Sequence, residues 1–204
     1  MGDRRVQPSS VRAWALVEAQ HGVVARRQLL ELGFSPKAIK HRIATGRLRP
    51  VWRGVYAVGR PQLTRYGHWM AAVLACGAEA VLSHRSAAAL WGFLQATRGP
   101  VDVSVPARLA PRYPGIRVHR RAGLRPSEVT RLHGIPVTTP ACTLIDIAIG
   151  LGAKRLEAAV NEADKLDLID PDRLRTALDG REGQHGVGPL RALLDRHTLT
   201  LTDS

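Results

Sequence analysis

The stretch SPKAIKHRIATGRLRPVWRGVYAVG, from Ser35 to Gly59, constrains the fold more than any other part of the chain. Ser35 is a strong N-cap, and Pro36 follows at the first helical position, where its missing N–H costs nothing. Gly46 supplies the stop. Val51, Val55, Tyr56 and Val58 then flank Arg53-Gly54, which predicts two strands about a tight turn. On a helical wheel at about 100° per residue, Lys37, Lys40, His41 and Ala44 share one face. Ile39, Ile43 and Gly46 take the opposite face, and Arg42 lies at the flank. The aliphatic side can dock on neighbouring helices while the cations project outward. Small Ala44 would let such a helix sit close to a groove floor.

The preceding residues supply those neighbours. Ser10 is expected to cap a helix carrying Val11, Trp14, Ala15 and Val17 at helical spacing, and HGVV then breaks it. ARRQLLELG predicts a second short helix ending at Gly33. Three helices followed by a hairpin match a winged helix-turn-helix. A solvated amphipathic helix beside a hairpin satisfies the same spacing, so the distribution of charge has to arbitrate.

The net charge is +13, and it is polarised. Residues 1–62 carry a balance of +9, residues 63–140 a balance of +7, and residues 141–204 a balance of −3. A basic front suits a polyanion, whereas an acidic back does not belong against phosphates. Arginine supplies 26 of the 30 basic residues, a bias that a GC-rich genome would also produce. Lys37 and Lys40 with Arg42, Arg47, Arg49 and Arg53 form a positive track from helix to wing. Arg26 and Arg27 on the second helix extend it. Such cations release counterions from a phosphate backbone whatever its sequence, and those that reach guanine edges add specificity. Trp52 could stack on a sugar or base, but core packing is the better reading beside a hairpin.

Beyond Gly59, GRPQLTRYG reads as a linker to Gly67. RYGHWMAAVLACG predicts a helix ending at Gly77, and AVLSHRSAAALWGF a short strand and a helix capped by Ser83. VDVSVPA and GIRVHRRA alternate with period two, and VTRLHGIPVTT adds a strand or two. PACTLIDIAIG, KRLEAAVNEADKLDLI, DPDRLRTAL and GPLRALLDRH predict a helical tail. The expected fold class is α+β: a winged helix-turn-helix over 1–62, then a mixed α/β domain over 63–204. Its strands should fall within about 80–140 and its helices within 141–197.

Other chemistry finds little support. Ser83 beside His84 lacks a nucleophile elbow, so Ser83 is read as a helix cap, with Arg85 available to a phosphate there. Arg117, His119, Arg120 and Arg121, with Arg112, form a second basic cluster. It reads equally as a phosphate-binding surface or as charge protecting an edge strand. The eight histidines show no metal spacing, and no P-loop or dinucleotide fingerprint occurs. Cys76 and Cys142 read as reduced, buried thiols. No apolar run is long enough to span a membrane, and the N-terminus does not read as a signal peptide. Glu157, Glu162, Asp164, Asp167, Asp170 and Asp172 cluster in the tail, where they serve solubility or face a protein partner.

GVVARRQLLELGFSPKAIKHRIATGRLRPVWRGVYAVG resembles the N-terminal domain of AbiEi-type antitoxins of type IV toxin–antitoxin (abortive infection) systems. The likeness continues through AVLSHRSAAALWGF and GIPVTTPACTLIDIA, covering most of residues 20–148. It implies a winged-helix reader of double-stranded DNA at inverted repeats, repressing its own operon. It also implies a second domain that helps bind DNA or counteracts a nucleotidyltransferase-like toxin. Carried onto this sequence, the DNA contacts fall on Ser35, Lys37, Lys40, His41, Arg47 and Arg53. The charge pattern adds Arg26, Arg27, Arg42, Arg49, Arg85, Arg117, Arg120 and Arg121. Some similar proteins continue into a nuclease-like domain related to very-short-patch repair enzymes, which this chain is expected to lack. The alternative reading is thus the DNA-targeting part of a truncated endonuclease of that kind. Within the sequence, Asp102 has no downstream Glu-x-Lys partner for metal-assisted hydrolysis. The expectation is a cytoplasmic, nucleoid-associated regulator without enzymatic activity, metal or cofactor.

Overall fold

The computed structural model describes residues 8–59, 62–179, 181, 183 and 185–202. The front of the chain runs α1 (Pro8–Ala19), β1 (Val23–Ala25), α2 (Arg26–Glu31), α3 (Pro36–Ala44), β2 (Leu48–Trp52) and β3 (Val55–Val58). The strands form an antiparallel sheet of order β1-β3-β2. This is the winged helix expected, with one strand the sequence did not announce. His21 (φ 57°) and Gly22 (φ 86°) turn the chain after α1, and the break expected at HGVV becomes β1, laid against β3. Ser10 is not a cap: the helix already starts at Pro8, and Ser10 lies inside it. Ala13 and Val17 face inward while Val11 and Trp14 are each 56% exposed, so the buried stripe is rotated from the one expected.

The pleat divides this sheet between two cores. Val24, Leu48 and Tyr56 pack with Val17, Leu29 and Ile39 beneath the three helices. Val23, Ala25 and Val55 point to the other face, where they meet α4 (Arg65–Cys76). That helix begins inside the stretch expected to be a linker. Thr64 Oγ1 accepts from the Gly67 N–H at 3.1 Å, capping α4. Gly67 is itself buried, because a Cβ there would stand 2.7 Å from the His21 carbonyl oxygen.

On its far side α4 covers a five-stranded sheet of order β6-β5-β4-β8-β7. The strands are β4 (Val81–Leu82), β5 (Val101–Pro106), β6 (Ile116–Arg121), β7 (Val129–Leu132) and β8 (Ile135–Thr138), with α5 (His84–Trp91) between β4 and β5. β5 and β6 run parallel, as do β4 and β8, while β7 and β8 form a hairpin. Four helices close the chain: α6 (Pro140–Ala148), α7 (Ala153–Lys165), α8 (Pro171–Leu178) and α9 (Val187–Thr202). Leu144, Ile145, Leu156, Leu174, Leu178 and Leu190 bury their side chains there, against Ala88 and Phe93 from the α5 region. Cys76 and Cys142 are buried free thiols, and burial pushes both up to about 11.

Candidate nucleic-acid interface

The third helix is built from local signals. Ser35 Oγ accepts from the Ala38 N–H at 3.2 Å, and Pro36 occupies the first turn. Ile39, only 1% exposed, anchors the inner face. Lys37, Lys40, His41 and Ala44 are exposed on the outer one. Thr45 Oγ1 donates to the His41 carbonyl at 3.0 Å, and Gly46 (φ 71°) then releases the chain into β2. Arg42 turns aside from the outer face. Its guanidinium lies 4.7 Å from the Phe34 ring centroid and donates to the Ala38 carbonyl at 3.3 Å. Arg47 is exposed just past the helix, and Arg53 sits at the two-residue hairpin turn with Gly54 (φ 78°). Arg49 is exposed on β2 and donates to the Gly59 carbonyl at 2.9 Å.

The remaining expected contacts separate by what holds them. Arg26 is half-buried. Arg27 reaches away from α3 and donates to the Leu74 carbonyl of α4 at 2.9 Å, which occupies it inside the molecule. Arg85 and Arg120 are exposed, and Arg117 is exposed while touching Asp102 at 3.5 Å. Arg121 is committed to the interior. It pairs with Asp146, donates to Ser104 Oγ at 3.2 Å and meets Cys142 Sγ at 3.4 Å. Trp52 packs against the core, and its indole N–H donates to the Pro114 carbonyl at 3.0 Å.

Ser83 is not the side-chain cap expected. It is fully buried and makes no cap bond to its helix; its Oγ instead meets His84 Nδ1 at 3.1 Å. His84 holds a left-handed backbone (φ 49°), so the chain enters α5 by a sharp bend. Sequence reasoning also missed a buried polar cluster around this bend. The His84 and His119 rings stack at 3.5 Å, and His119 Nε2 lies 2.9 Å from Asp102 Oδ1. Burial, with the positive neighbours His119 and Arg121, pushes the His84 imidazole down to about 3. Burial also lifts the Asp146 carboxyl to about 6, against the pull of Arg121. The one available signal was Asp102 itself, a charge inside the otherwise small and apolar VDVSVP. Arg65 and Arg98 were missed as well; they join Arg49, Arg85 and Arg117 around a cleft between the two sheets. Among the described residues, no three His, Cys, Asp or Glu side chains are grouped to hold a metal, and no helix is long and apolar enough to cross a membrane.

Comparison with known proteins assigns both parts of the chain. Residues 15–59 match the family model described as a transcriptional regulator, AbiEi antitoxin, and residues 76–196 match that of the AbiEi antitoxin C-terminal domain. Two Mycobacterium tuberculosis proteins, Rv2248 of strain H37Rv and MT2308 of strain CDC 1551, are each 30% identical over 154 residues. The match covers 75% of this chain and 55% of each relative, so the chain spans about half their length. The crystal structure of the RV2827C protein from the same species shares the fold. Its TM-score is 0.53 at 22% identity, over 95% of this chain and 78% of that one.

Proposed function

Because this chain belongs to the AbiEi antitoxin family, we propose that it is a DNA-binding regulator that represses its own operon at inverted repeats and carries no catalytic activity. One observation carries this reading: Lys37, Lys40 and His41 stand exposed on one side of α3 while Ile39 is buried on the other. A major groove about 12 Å wide admits such a helix. Lys37 and Lys40 would meet phosphates or base edges, Arg47 and Arg53 the flanking backbone, and the exposed end of α3 at Ser35 a phosphate. Arg27 and Arg121 have internal partners and fall outside the interface. The carboxylates clustered at Glu157, Glu162, Asp164, Asp167, Asp170 and Asp172 would face a basic toxin that handles nucleic acid, since opposite potentials favour encounter.

The test is nuclease footprinting of the full chain on the DNA upstream of its own reading frame, in excess unrelated duplex. Two protected half-sites about one helical turn apart, or a multiple of that, are expected. Uniform or absent protection would remove the reading. For the toxin, co-expression with the neighbouring gene should restore growth, and loss of rescue on reversing the charges of Glu157, Asp164 and Asp167 would locate the contact.

A further inference from the structure

The cleft between the winged unit and the five-stranded sheet has a volume of about 980 Å³. Five arginines line it: Arg49 from β2, Arg65 from the start of α4, Arg85 from the first turn of α5, Arg98 from the loop after α5, and Arg117 from β6. All five are exposed to solvent. One carboxylate, Asp102, faces them from β5, leaving a surplus of four positive charges. Asp102 is itself buried and already matched by His119 at 2.9 Å and Arg117 at 3.5 Å. No side-chain hydrogen bond or ion pair holds Arg65, Arg85 or Arg98 among the described residues. Like charges gathered along the walls of one concave site repel one another, and an anion placed among them removes that repulsion.

We infer that this cleft binds the polyphosphate group of a small molecule of nucleotide size. Guanidinium groups hold phosphoryl oxygens through paired, charge-assisted N–H···O bonds, so arginines reaching in from several elements suit a branched, multiply charged anion. The volume lies at the upper end of the range of small-molecule sites. A triphosphate carries about four negative charges near neutral pH, at one to two per phosphoryl group, which matches the surplus. His68 lines the same cleft, its ring 5.1 Å from that of Trp52, and supplies a flat aromatic edge beside the arginines. The walls come from both halves of the molecule, so an anion held there would brace the winged unit against the sheet.

The experiment is calorimetric titration of the full chain with inorganic tripolyphosphate and, separately, with ATP. Saturable one-to-one binding of tripolyphosphate is expected, weakened at least tenfold in Arg85→Ala/Arg98→Ala and unaltered in Lys37→Ala/Lys40→Ala. Arg98→Glu, an exposed loop substitution that leaves all described pairings intact, should weaken it further still. ATP binding at least tenfold tighter than tripolyphosphate would identify a nucleotide; equal affinity would identify the polyphosphate group alone as the ligand. Absence of saturable binding, or equal binding by wild type and Arg98→Glu, would overturn the inference. So would tripolyphosphate displacing a duplex whose own binding is lost in Arg85→Ala/Arg98→Ala, because the cleft would then belong to the DNA surface. The titration is independent of operator recognition and remains readable if footprinting fails.

Discussion

Replacing Lys37 and Lys40 together with alanine tests the proposed contribution of α3 to DNA binding. Both side chains are exposed, and neither has a hydrogen bond or ion pair among the described residues. Their removal should therefore leave stability within about 0.5 kcal/mol of wild type. Each phosphate neutralised by a lysine adds roughly 0.9 to the slope of log affinity against log salt. Loss of both should flatten that slope by about 1.8. At 0.1 M salt the lost counterion release corresponds to about eightfold per contact and about 60-fold for two, or roughly 2.4 kcal/mol. The assay is fluorescence anisotropy with a labelled duplex from the footprinted region, repeated from 50 to 300 mM salt. Lys154→Ala/Lys165→Ala removes the same charge from the acidic tail and should leave both slope and affinity unchanged. If the α3 variant gave a line parallel to wild type, its lysines would not touch phosphates, and the placement of α3 on the backbone would be refuted even with weaker affinity.

Two further outcomes concern the frame. Gly67→Ala should destabilise the protein by about 2 kcal/mol or more although alanine is the better helix former, because its Cβ would stand 2.7 Å from the His21 carbonyl; a higher melting temperature would show that α4 does not seat there. The buried cluster sets a pH signature: His84, lowered from 6.5 to about 3, binds fewer protons folded than unfolded in that window, so its contribution to stability rises with pH. Asp146, raised from 3.8 to about 6, binds more protons folded, so its contribution falls across that range and largely cancels that of His84. His84→Asn, whose side chain tolerates the left-handed backbone, should expose the fall: chemical denaturation should show stability dropping with rising pH between 4 and 6 more steeply than wild type, by roughly 1.4 kcal/mol per pH unit. Equal slopes would mean the His84 imidazole titrates normally.

The parts legible in the sequence were those set by local chemistry. Ser35-Pro36 caps α3 with its own atoms, Gly46 ends it, and Arg53-Gly54 closes a two-residue turn, so α3 and the hairpin needed no knowledge of the rest. β1 is only Val23–Ala25; three residues show no periodicity, and the strand exists because β3 offers it hydrogen bonds. The linker expected over 59–67 gives way to α4 at Arg65, where the RYGHWMAAVLACG helix was expected to begin, and Gly67 inside that helix marks close packing on His21 rather than a break. Ser83 looked like a cap, but its N–H donates to the Asp102 carbonyl at 3.1 Å and its side chain joins a buried cluster gathered from β5, β6 and α6. Arg27 and Arg121 carry the same charge as their neighbours; only the distant Leu74 carbonyl and Asp146 decide that they turn inward. The cleft was invisible for the same reason, its arginines being scattered from position 49 to position 117.

These long-range ties join the two halves of the chain. The indole N–H of Trp52, beside the hairpin tip, donates to the Pro114 carbonyl just before β6, and His21 Nε2 lies 2.7 Å from the His133 carbonyl. Between them, Val23, Ala25 and Val55 of the winged unit share a core with Val103, Ile135 and Val137 of the larger sheet. Residue 62 therefore marks a change of sheet and not a gap in the packing. Cut there, the winged unit would expose two valines that each gain about 1.5–3 kcal/mol from burial, a large share of what so small a core can supply. If α3 engages DNA as proposed, a shift of that helix would load the hairpin it packs on, and a shift of the hairpin would load the bond from Trp52 to the loop that borders β6. On the proposed reading, whatever fills the space between the halves would act on α3 through these contacts, and the second half of the chain would take part in how the first half reads DNA.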